Sequence, residues 1–317
     1  MEKQSLLFSL RCDCPSGGCI KVHDYYNHTK LSVNYTPQIY LPNDTLWEES
    51  NPWWTERHQV MSEYRLDLAD ALFISGLGWQ RFIPVEYQQK SPIPIIYLIQ
   101  GLFKLRPEYP HYQHFSYKAI RISVSQAITE TLQQKNIRIN GPLFTIPNCI
   151  DTQVLPKLLQ FVDRDIELLI LGLKQPQKAE ELTRRLIPYC KGNLVTVTTR
   201  LPQKEFHSLI NRARHTLFLP AEEEGFYLPA LEGMALGTIV ICPDVGGNRD
   251  FCRVNNNCFL PVYHIESLYH ATIQALTLVK FQRDRLLTNA QHTAKEHDLT
   301  RERSIFLDIL DNLKNIW

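Results

Sequence analysis

The chain lacks most of the features that mark a specialised class of protein. Eight cysteines in 317 residues are too few for a scaffold built on disulfides. Lys and Arg number 34 against 33 Asp and Glu, so no net field draws the protein to a polyanion, and nucleic acid is not expected as a partner. The hydrophobic content of 44% is that of a folded globular protein and excludes wholesale disorder.

Long hydrophobic runs are also missing. The first ten residues contain too short an apolar run for a signal peptide and are typical of a buried strand. The most apolar stretch, Ile93 to Phe103, has about half of the ~20 residues that a membrane-spanning helix needs, and prolines and Gln100 interrupt it. These observations predict a cytoplasmic protein and leave open only a peripheral contact with a membrane.

One cluster of cysteines has two interpretations. Cys12, Cys14, Cys19 and His23 follow the pattern C-x-C-x4-C-x3-H, which contains four residues able to bind zinc. The usual structural zinc sites have C-x2-C pairs, which this cluster lacks. The alternative is a strand-to-loop transition with incidental thiols, and we therefore predict no metal site.

The chain is long enough for two domains, and its pattern of apolar runs starts afresh near residue 150. Short apolar runs alternate with helix-compatible segments, as in parallel sheets covered by helices. We therefore predict an α/β protein with domains at 1–149 and 150–317. The predicted strands are Ser5 to Arg11, Leu31 to Tyr40, Ala71 to Ser75, Ile95 to Ile99, Ile120 to Val124, Leu143 to Ile146, Ile166 to Leu171, Leu194 to Thr198, Thr216 to Pro220 and Thr238 to Cys242.

The predicted helices fill the intervals between these strands. Ser125 follows a strand and is expected to cap the helix that begins there. The second domain has fewer strands than a full doubly wound sheet and is predicted to be abbreviated. The helices are expected at Ile20 to Lys30, Trp79 to Gln89, Ser125 to Gln134, Lys178 to Ile187, Gln203 to Ala213, Tyr227 to Ala235 and Ile265 to Lys280, with one or two terminal helices in Thr293 to Trp317.

Acidic residues follow the predicted strand that ends at Pro220, and a helix begins directly after them. In an open α/β sheet this edge binds ligands, and a helix N-terminus offers unpaired N–H groups to a phosphate. Glu224 and Glu232 are eight positions apart and could accept hydrogen bonds from two sets of hydroxyls on one ligand. The alternative is an acidic turn that only complements the helix dipole.

The segment that starts at Glu224 reads E-G-F-Y-L-P-A-L-E-G-M-A-L-G and resembles, position by position, the donor-site motif of family 4 of the glycosyltransferases. The strand and glycine turn that follow, up to Asn248, are similar to that family as well. So are the segments Ile120 to Ile128 and Ile146 to Asp151, although Cys149 stands where the family commonly has Gly.

The resemblance implies the GT-B architecture, in which two Rossmann-like domains face each other across a cleft. It implies a retaining transfer of a sugar from a nucleoside-diphosphate sugar, which is a co-substrate, with no cofactor and no metal. The donor would bind mainly to the second domain and the acceptor to the first. A saccharide, a lipid-linked molecule or a protein are all open as acceptors.

The resemblance also implies roles for individual residues in the motif. Glu224 would contact the transferred sugar and Glu232 the ribose. The donor-binding set is completed by the backbone of the glycines and of the residues at the helix start, namely Gly225, Phe226, Tyr227, Leu228 and Gly246.

The diphosphate is expected to meet basic residues after the first strand of the second domain. Family members place an Arg directly after the glycine of that strand, but here Leu173 follows Gly172. Lys178 matches the family lysine in spacing, and Lys174 could supply the missing charge. The alternative is that both are ordinary solvent-facing lysines.

In the first domain, Pro15 to Gly18 match the family's glycine loop, whose amides contact donor phosphate or acceptor, so Gly17 and Gly18 join the predicted donor site. His23 on the following helix is the candidate catalytic histidine, together with Glu224 and Lys178. A plain turn and a structural histidine are the alternatives.

Two rival functions differ from transfer. A non-catalytic subunit that keeps the fold for binding or assembly would explain Leu173. A dehydrogenase is disfavoured because no G-x-G-x-x-G follows either first strand.

Overall fold

The computed structural model of the chain describes residues 3–12, 17–110 and 112–317. It divides into two compact units, one formed by Met1–Asn148 with Leu299–Trp317 and the other by Cys149–Asp298. The boundary after Asn148 lies one residue from the predicted one. The assignment of all of 150–317 to the second domain was wrong, because residues 299–317 pack with the first unit.

The first unit is built on a six-stranded parallel sheet with the order β2-β1-β3-β4-β5-β6. Three of its interior strands consist almost entirely of buried residues, as expected for a sheet covered on both faces. The strands are β1 (Gln4–Ser9), β2 (Tyr35–Tyr40), β3 (Ala71–Ser75), β4 (Ile95–Ile99), β5 (Ile120–Ser123) and β6 (Leu143–Thr145).

The helices of this unit are α1 (Gly17–Lys30), α2 (Gly78–Phe82), α3 (Val85–Gln89) and α4 (Gln126–Gln134). Ser125 caps α4 as predicted, since its side chain accepts a hydrogen bond from the amide of Ile128. The single helix predicted from Trp79 to Gln89 is instead two short ones, because Pro84 cannot continue the first and begins the second.

The second unit has a four-stranded parallel sheet with the order β10-β9-β7-β8, and its sheet is therefore smaller, as predicted. The strands are β7 (Ile166–Leu171), β8 (Asn193–Val197), β9 (Ala213–Phe218) and β10 (Ile239–Ile241), and the helices are α5 (Pro176–Leu186), α6 (Gln203–Arg212), α7 (Leu228–Ala235), α8 (Ile265–Leu276) and α9 (Lys280–Glu296).

Helix α9 was not predicted as an element of its own. Its sequence is mostly polar, and its buried residues are only Leu286, Ala290 and Ala294, so it has a weak apolar stripe.

Two terminal helices, α10 (Leu299–Asp311) and α11 (Leu313–Ile316), close the first unit. The fully buried Phe306 packs edge-on against Tyr25 of α1, with ring centroids 4.7 Å apart. Glu302 is also fully buried, and its carboxylate lies 2.7 Å from Lys21 and 3.1 Å from His28. Apolar packing and a buried ion pair therefore fix α10 on α1.

Among the described residues, no helix combines the length and the apolar character needed to cross a membrane.

Candidate functional site

The candidate site surrounds the loop that joins β9 to α7. Because β7 and β9 are parallel neighbours, the residues that follow them lie at the same edge of the sheet. The loop combines polar and buried parts: Glu222 is exposed, whereas the residues from Gly225 to Tyr227 are buried. The predicted donor-site motif thus occupies a carboxyl-end loop and the helix that follows it.

Glu224 is held at three points. Its Oε1 accepts a hydrogen bond of 3.0 Å from the amide of Ala221 and is ion-paired with Lys174, and its backbone forms a bridge with Gly246. Only 13% of its side chain is exposed. The loop therefore presents this carboxylate in one defined place.

The turn after β10 requires its two glycines. Gly246 has a φ of 79°, in the left-handed region that favours glycine. A Cβ atom on Gly247 would lie 2.5 Å from the carbonyl carbon of Gly225 and still closer to the carbonyl oxygen of Glu224. The turn can touch the Glu224 loop only because residue 247 has no side chain.

Asn248 stabilises this turn from within. It is fully buried, and its amide nitrogen donates to the carbonyl oxygen of Pro243 at 2.7 Å while its oxygen accepts from the amide of Val245 at 3.3 Å. The Asp244 carboxylate forms an ion pair with Arg249 at 2.7 Å. The glycine turn is thus rigidly anchored beside the loop.

Both predicted lysines lie at the same edge. Lys174 reaches Glu224, and Lys178 Nζ lies 3.1 Å from Glu222 Oε1 and 4.5 Å from the ring centre of Tyr263. Leu173, at the position of the family Arg, is 51% exposed. Two cations and two carboxylates therefore face one another at the strand ends.

Glu232 lies within α7 with 16% of its side chain exposed. Its Oε1 is 3.0 Å from Nε2 of His207 on α6, a buried histidine that lies outside every predicted motif. A pattern in the sequence could have indicated His207. It lies on the buried face of α6 with Ile210 and Asn211, and such a face usually carries apolar residues.

The aromatic side chains of the loop point into the core and not into solvent. The ring of Phe226 packs at a tilt against Phe251, with centroids 5.0 Å apart, and that of Tyr227 packs edge-on against Phe218. Burial raises the pKa of Tyr227 well above its ordinary value, so its hydroxyl stays protonated. The side chains anchor the loop. Leu228, the first residue of α7, is half-buried.

In the first unit, Gly17 and Gly18 open α1, and the carbonyl oxygen of Gly18 accepts from Gln100 at 3.3 Å. Pro15 and Ser16 of the predicted glycine loop, and Cys14 of the cysteine cluster, lie outside the described residues. In the part of the chain that the structure describes, no three His, Cys, Asp or Glu side chains are grouped so that they could hold a metal ion.

His23 lies in a packed cluster on α1. Its Nε2 is 3.2 Å from the Glu56 carboxylate, and its ring meets the buried Trp53 edge-on at 4.8 Å. Burial lowers the pKa of His23 in spite of the opposing effect of Glu56. These contacts are those of a held, neutral histidine, and its catalytic role stays a prediction.

Comparison with known proteins finds a family model that matches the part of the chain containing this site. Residues 152–293 match the family of glycosyl transferases, group 1, and this range contains the loop, both lysines, Glu232 and the glycine turn. No curated protein sequence matches the chain significantly.

The fold of the whole chain has clear relatives among solved structures. Sucrose-phosphate synthase from Thermosynechococcus elongatus is 11% identical and aligns over 99% of this chain and 100% of its own, with a TM-score of 0.73. HepE of Anabaena, solved in complex with UDP and glucose, is 13% identical over 98% and 100%, with a TM-score of 0.68. A glycosyltransferase from Rickettsia africae is 14% identical over 98% and 100%, with a TM-score of 0.65.

The predicted resemblance to GT-B glycosyltransferases is therefore confirmed, whereas membership of family 4 and retention of the anomeric configuration stay predictions. The second unit carries the sequence pattern of group 1 glycosyl transferases, and the α/β fold is that of GT-B glycosyltransferases.

Proposed function

We propose that this protein transfers a glycosyl group from a nucleoside-diphosphate sugar to an acceptor hydroxyl and retains the configuration of the anomeric carbon. One observation carries the proposal: Glu224, Lys174 and Lys178 gather at one sheet edge, and Glu232 lies on the helix that leaves the same loop. Carboxylates suit sugar and ribose hydroxyls, and ammonium groups suit a diphosphate.

The lysines are proposed to bind the diphosphate. In the structure each is paired with a carboxylate of the loop, Lys174 with Glu224 and Lys178 with Glu222. A bound diphosphate carries two or more negative charges and would compete for both ammonium groups. Lys174 would then exchange Glu224 for a phosphate oxygen, which frees the carboxylate for the hydroxyls of the sugar.

The backbone is proposed to contribute the remaining donors. Because the side chains of Phe226 and Tyr227 are buried, only their amides and that of Gly225 are available for the sugar and the phosphates. These N–H groups directly precede α7, so the helix dipole adds to their attraction for an anion. Fixed donors of this kind stabilise charge that develops on a leaving group.

The anomeric configuration is retained if the leaving group departs from, and the acceptor attacks, the same face of the sugar. The bond between the anomeric carbon and the phosphate oxygen breaks, and the acceptor oxygen forms a new bond to the same carbon from the same face. The acceptor proton passes to the departing phosphate oxygen, so no protein base is required. The lysines stabilise the nucleoside diphosphate as its charge develops.

The comparisons suggest which nucleotides and acceptors to test first. UDP is the first nucleotide to test because the similar HepE was solved with UDP and with UDP-glucose. A saccharide, lipid-linked or protein hydroxyl is the proposed acceptor, and the first unit, which carries His23, is proposed to bind it. No cofactor or metal is proposed.

The test is a screen of UDP-, GDP- and ADP-sugars for nucleotide release, followed by NMR assignment of the anomer that forms. We expect release from one class of donor, an unchanged anomeric configuration, and full activity in the presence of EDTA. Inversion would refute the proposed chemistry. A protein that binds none of UDP, GDP and ADP would refute the donor site itself.

A second function is favoured by one observation. The half-exposed Leu173 stands where family members place an Arg directed at the diphosphate. A protein that binds a nucleoside diphosphate but releases none from any donor sugar would be a non-catalytic binding or assembly subunit. Leu173→Arg should then create transfer.

A further inference from the structure

The proposed ribose carboxylate has a partner that no comparison assigns. His207 lies on α6 and Glu232 on α7, and Nε2 of the ring is 3.0 Å from Oε1 of the carboxylate. The histidine side chain is 4% exposed and that of the glutamate 16% exposed. The histidine therefore stands behind the carboxylate, and the carboxylate retains access to solvent.

The bond occupies only a small part of what the carboxylate can accept. A carboxylate offers about four lone-pair positions on its two oxygens. When Nε2 of His207 donates to Oε1, Oε2 and the second position of Oε1 stay available. Two adjacent hydroxyls of a ribose could donate to these positions at once.

The bond also restricts the glutamate before any ligand arrives. A free Glu side chain samples many rotamers, and ordering such a side chain on binding costs conformational entropy. Because His207 is itself held on the buried face of α6, its N–H group restricts the rotamers of Glu232 before the nucleotide binds. The same bond is charge-assisted and therefore stronger than a bond between neutral groups.

We propose that His207 is a positioning residue, which holds Glu232 in the orientation that accepts hydrogen bonds from the ribose hydroxyls of the donor nucleotide. This inference rests on the proposed donor site. It concerns the ribose alone and makes no claim about the sugar that is transferred.

The experiment compares a nucleotide with its analogue that lacks the ribose hydroxyls. Affinities of UDP, GDP and ADP are measured by calorimetry for the wild type, and the tightest of them is compared with its 2′,3′-dideoxy form. The variants are His207→Leu, which removes the donor, and His207→Gln, which keeps an N–H donor. His207→Met is a second apolar variant if the leucine does not fold.

We expect the apolar variants to weaken the ribonucleotide about tenfold, the effect of about one hydrogen bond to a charged group. The dideoxy analogue, already weak, should change by less than twofold, and His207→Gln should recover most of the loss. In a Glu232→Ala background, removal of His207 should have no further effect, because the two residues act as one unit.

His215 supplies a matched control. It is also buried in the second unit, and its Nδ1 lies 2.9 Å from the carbonyl oxygen of Glu167 on the neighbouring strand β7. His215→Leu should lower the melting temperature without changing the ratio of the two affinities. That ratio separates positioning of the carboxylate from a general loss of stability.

Three results would overturn the inference while leaving the donor site intact. In the first, His207→Leu lowers the affinity for the ribonucleotide and for its dideoxy analogue equally. In the second, it lowers neither affinity. In the third, the wild type binds the two nucleotides equally well. Failure of the wild type to bind any of the three nucleoside diphosphates would instead refute the proposed function, and this inference with it.

Discussion

Gly247→Ala is expected to disable the candidate site through one added methyl group. The new Cβ atom would lie 2.5 Å from the carbonyl carbon of Gly225 and 2.6 Å from its oxygen. Favourable contacts between carbon atoms lie at about 3.5–4.0 Å, so either the glycine turn or the Glu224 loop must move by roughly 1 Å. Both contacts are with backbone, which cannot rotate away as a side chain can.

The size of the effect differs for stability and for function. Overpacking of this kind costs typically about 1–3 kcal/mol. In a unit of this size each kcal/mol lowers the melting temperature by roughly 2–4 °C, so the variant should remain folded. A displacement of ~1 Å at reacting groups can lower a rate by ~100-fold, so transfer should fall far more than stability.

The assay measures nucleoside diphosphate affinity by calorimetry, transfer by nucleotide release, and unfolding by circular dichroism. Gly192→Ala is the matched control in the same unit, because its nearest contact is a side-chain carbon of Glu167 at 3.2 Å. That variant should keep its affinity. A Gly247→Ala protein with wild-type affinity and rate would refute the requirement for close approach of the two segments.

Four further changes have defined outcomes. Glu232→Ala should weaken nucleotide binding by about 10- to 100-fold in calorimetry, because bonds from hydroxyls to a charged group are lost; equal affinity would remove Glu232 from the site. Lys178→Ala should weaken diphosphate binding severalfold and reduce its dependence on salt, and an unchanged salt dependence would contradict a phosphate role. Phe306→Ala should destabilise the first unit by about 3–5 kcal/mol in denaturant unfolding, and a loss below about 1 kcal/mol would contradict its core position. Glu302→Gln should lower the melting temperature at pH 7, and the difference from the wild type should narrow in acid.

The pH dependence of that last change follows from the surroundings of Glu302. Burial raises the pKa of this carboxyl group, but the charges and hydrogen bonds of Lys21 and His28 outweigh burial and hold the pKa below its ordinary value. A carboxyl group with a lowered folded-state pKa contributes fully above its unfolded value of about 4.3. The contribution is lost as the pH falls through the lower folded value. A constant difference across this range would contradict the assignment.

The strands were the most predictable part of the fold. β3, β4 and β7 have the predicted bounds because their apolar runs are nearly continuous and end abruptly. The helices were less well predicted, both in where they end and in which unit they belong to. The pair α2 and α3 depends on Pro84, and the assignment of α10 depends on Phe306 meeting Tyr25, a contact that links residues far apart in the chain.

Only those residues of the candidate site that belong to a recognisable sequence motif could be predicted. The acids, the lysines and the glycine turn could be named because their spacing resembles a known family, and the structure gathers them at one sheet edge. The pairing of Lys174 with Glu224 and the support of Glu232 by His207 could not be foreseen. They join side chains from different elements, and only the fold decides which elements are neighbours.

The division of the chain also determines the order in which the units can form. Residues of the second unit are continuous from Cys149 to Asp298, whereas the first unit needs Leu299–Trp317 to cover α1. On the ribosome the second unit can therefore complete its core as soon as residue 298 has emerged. Until Phe306 follows, the first unit keeps apolar surface exposed although its sheet was synthesised first, and such surface is open to chaperones and to aggregation.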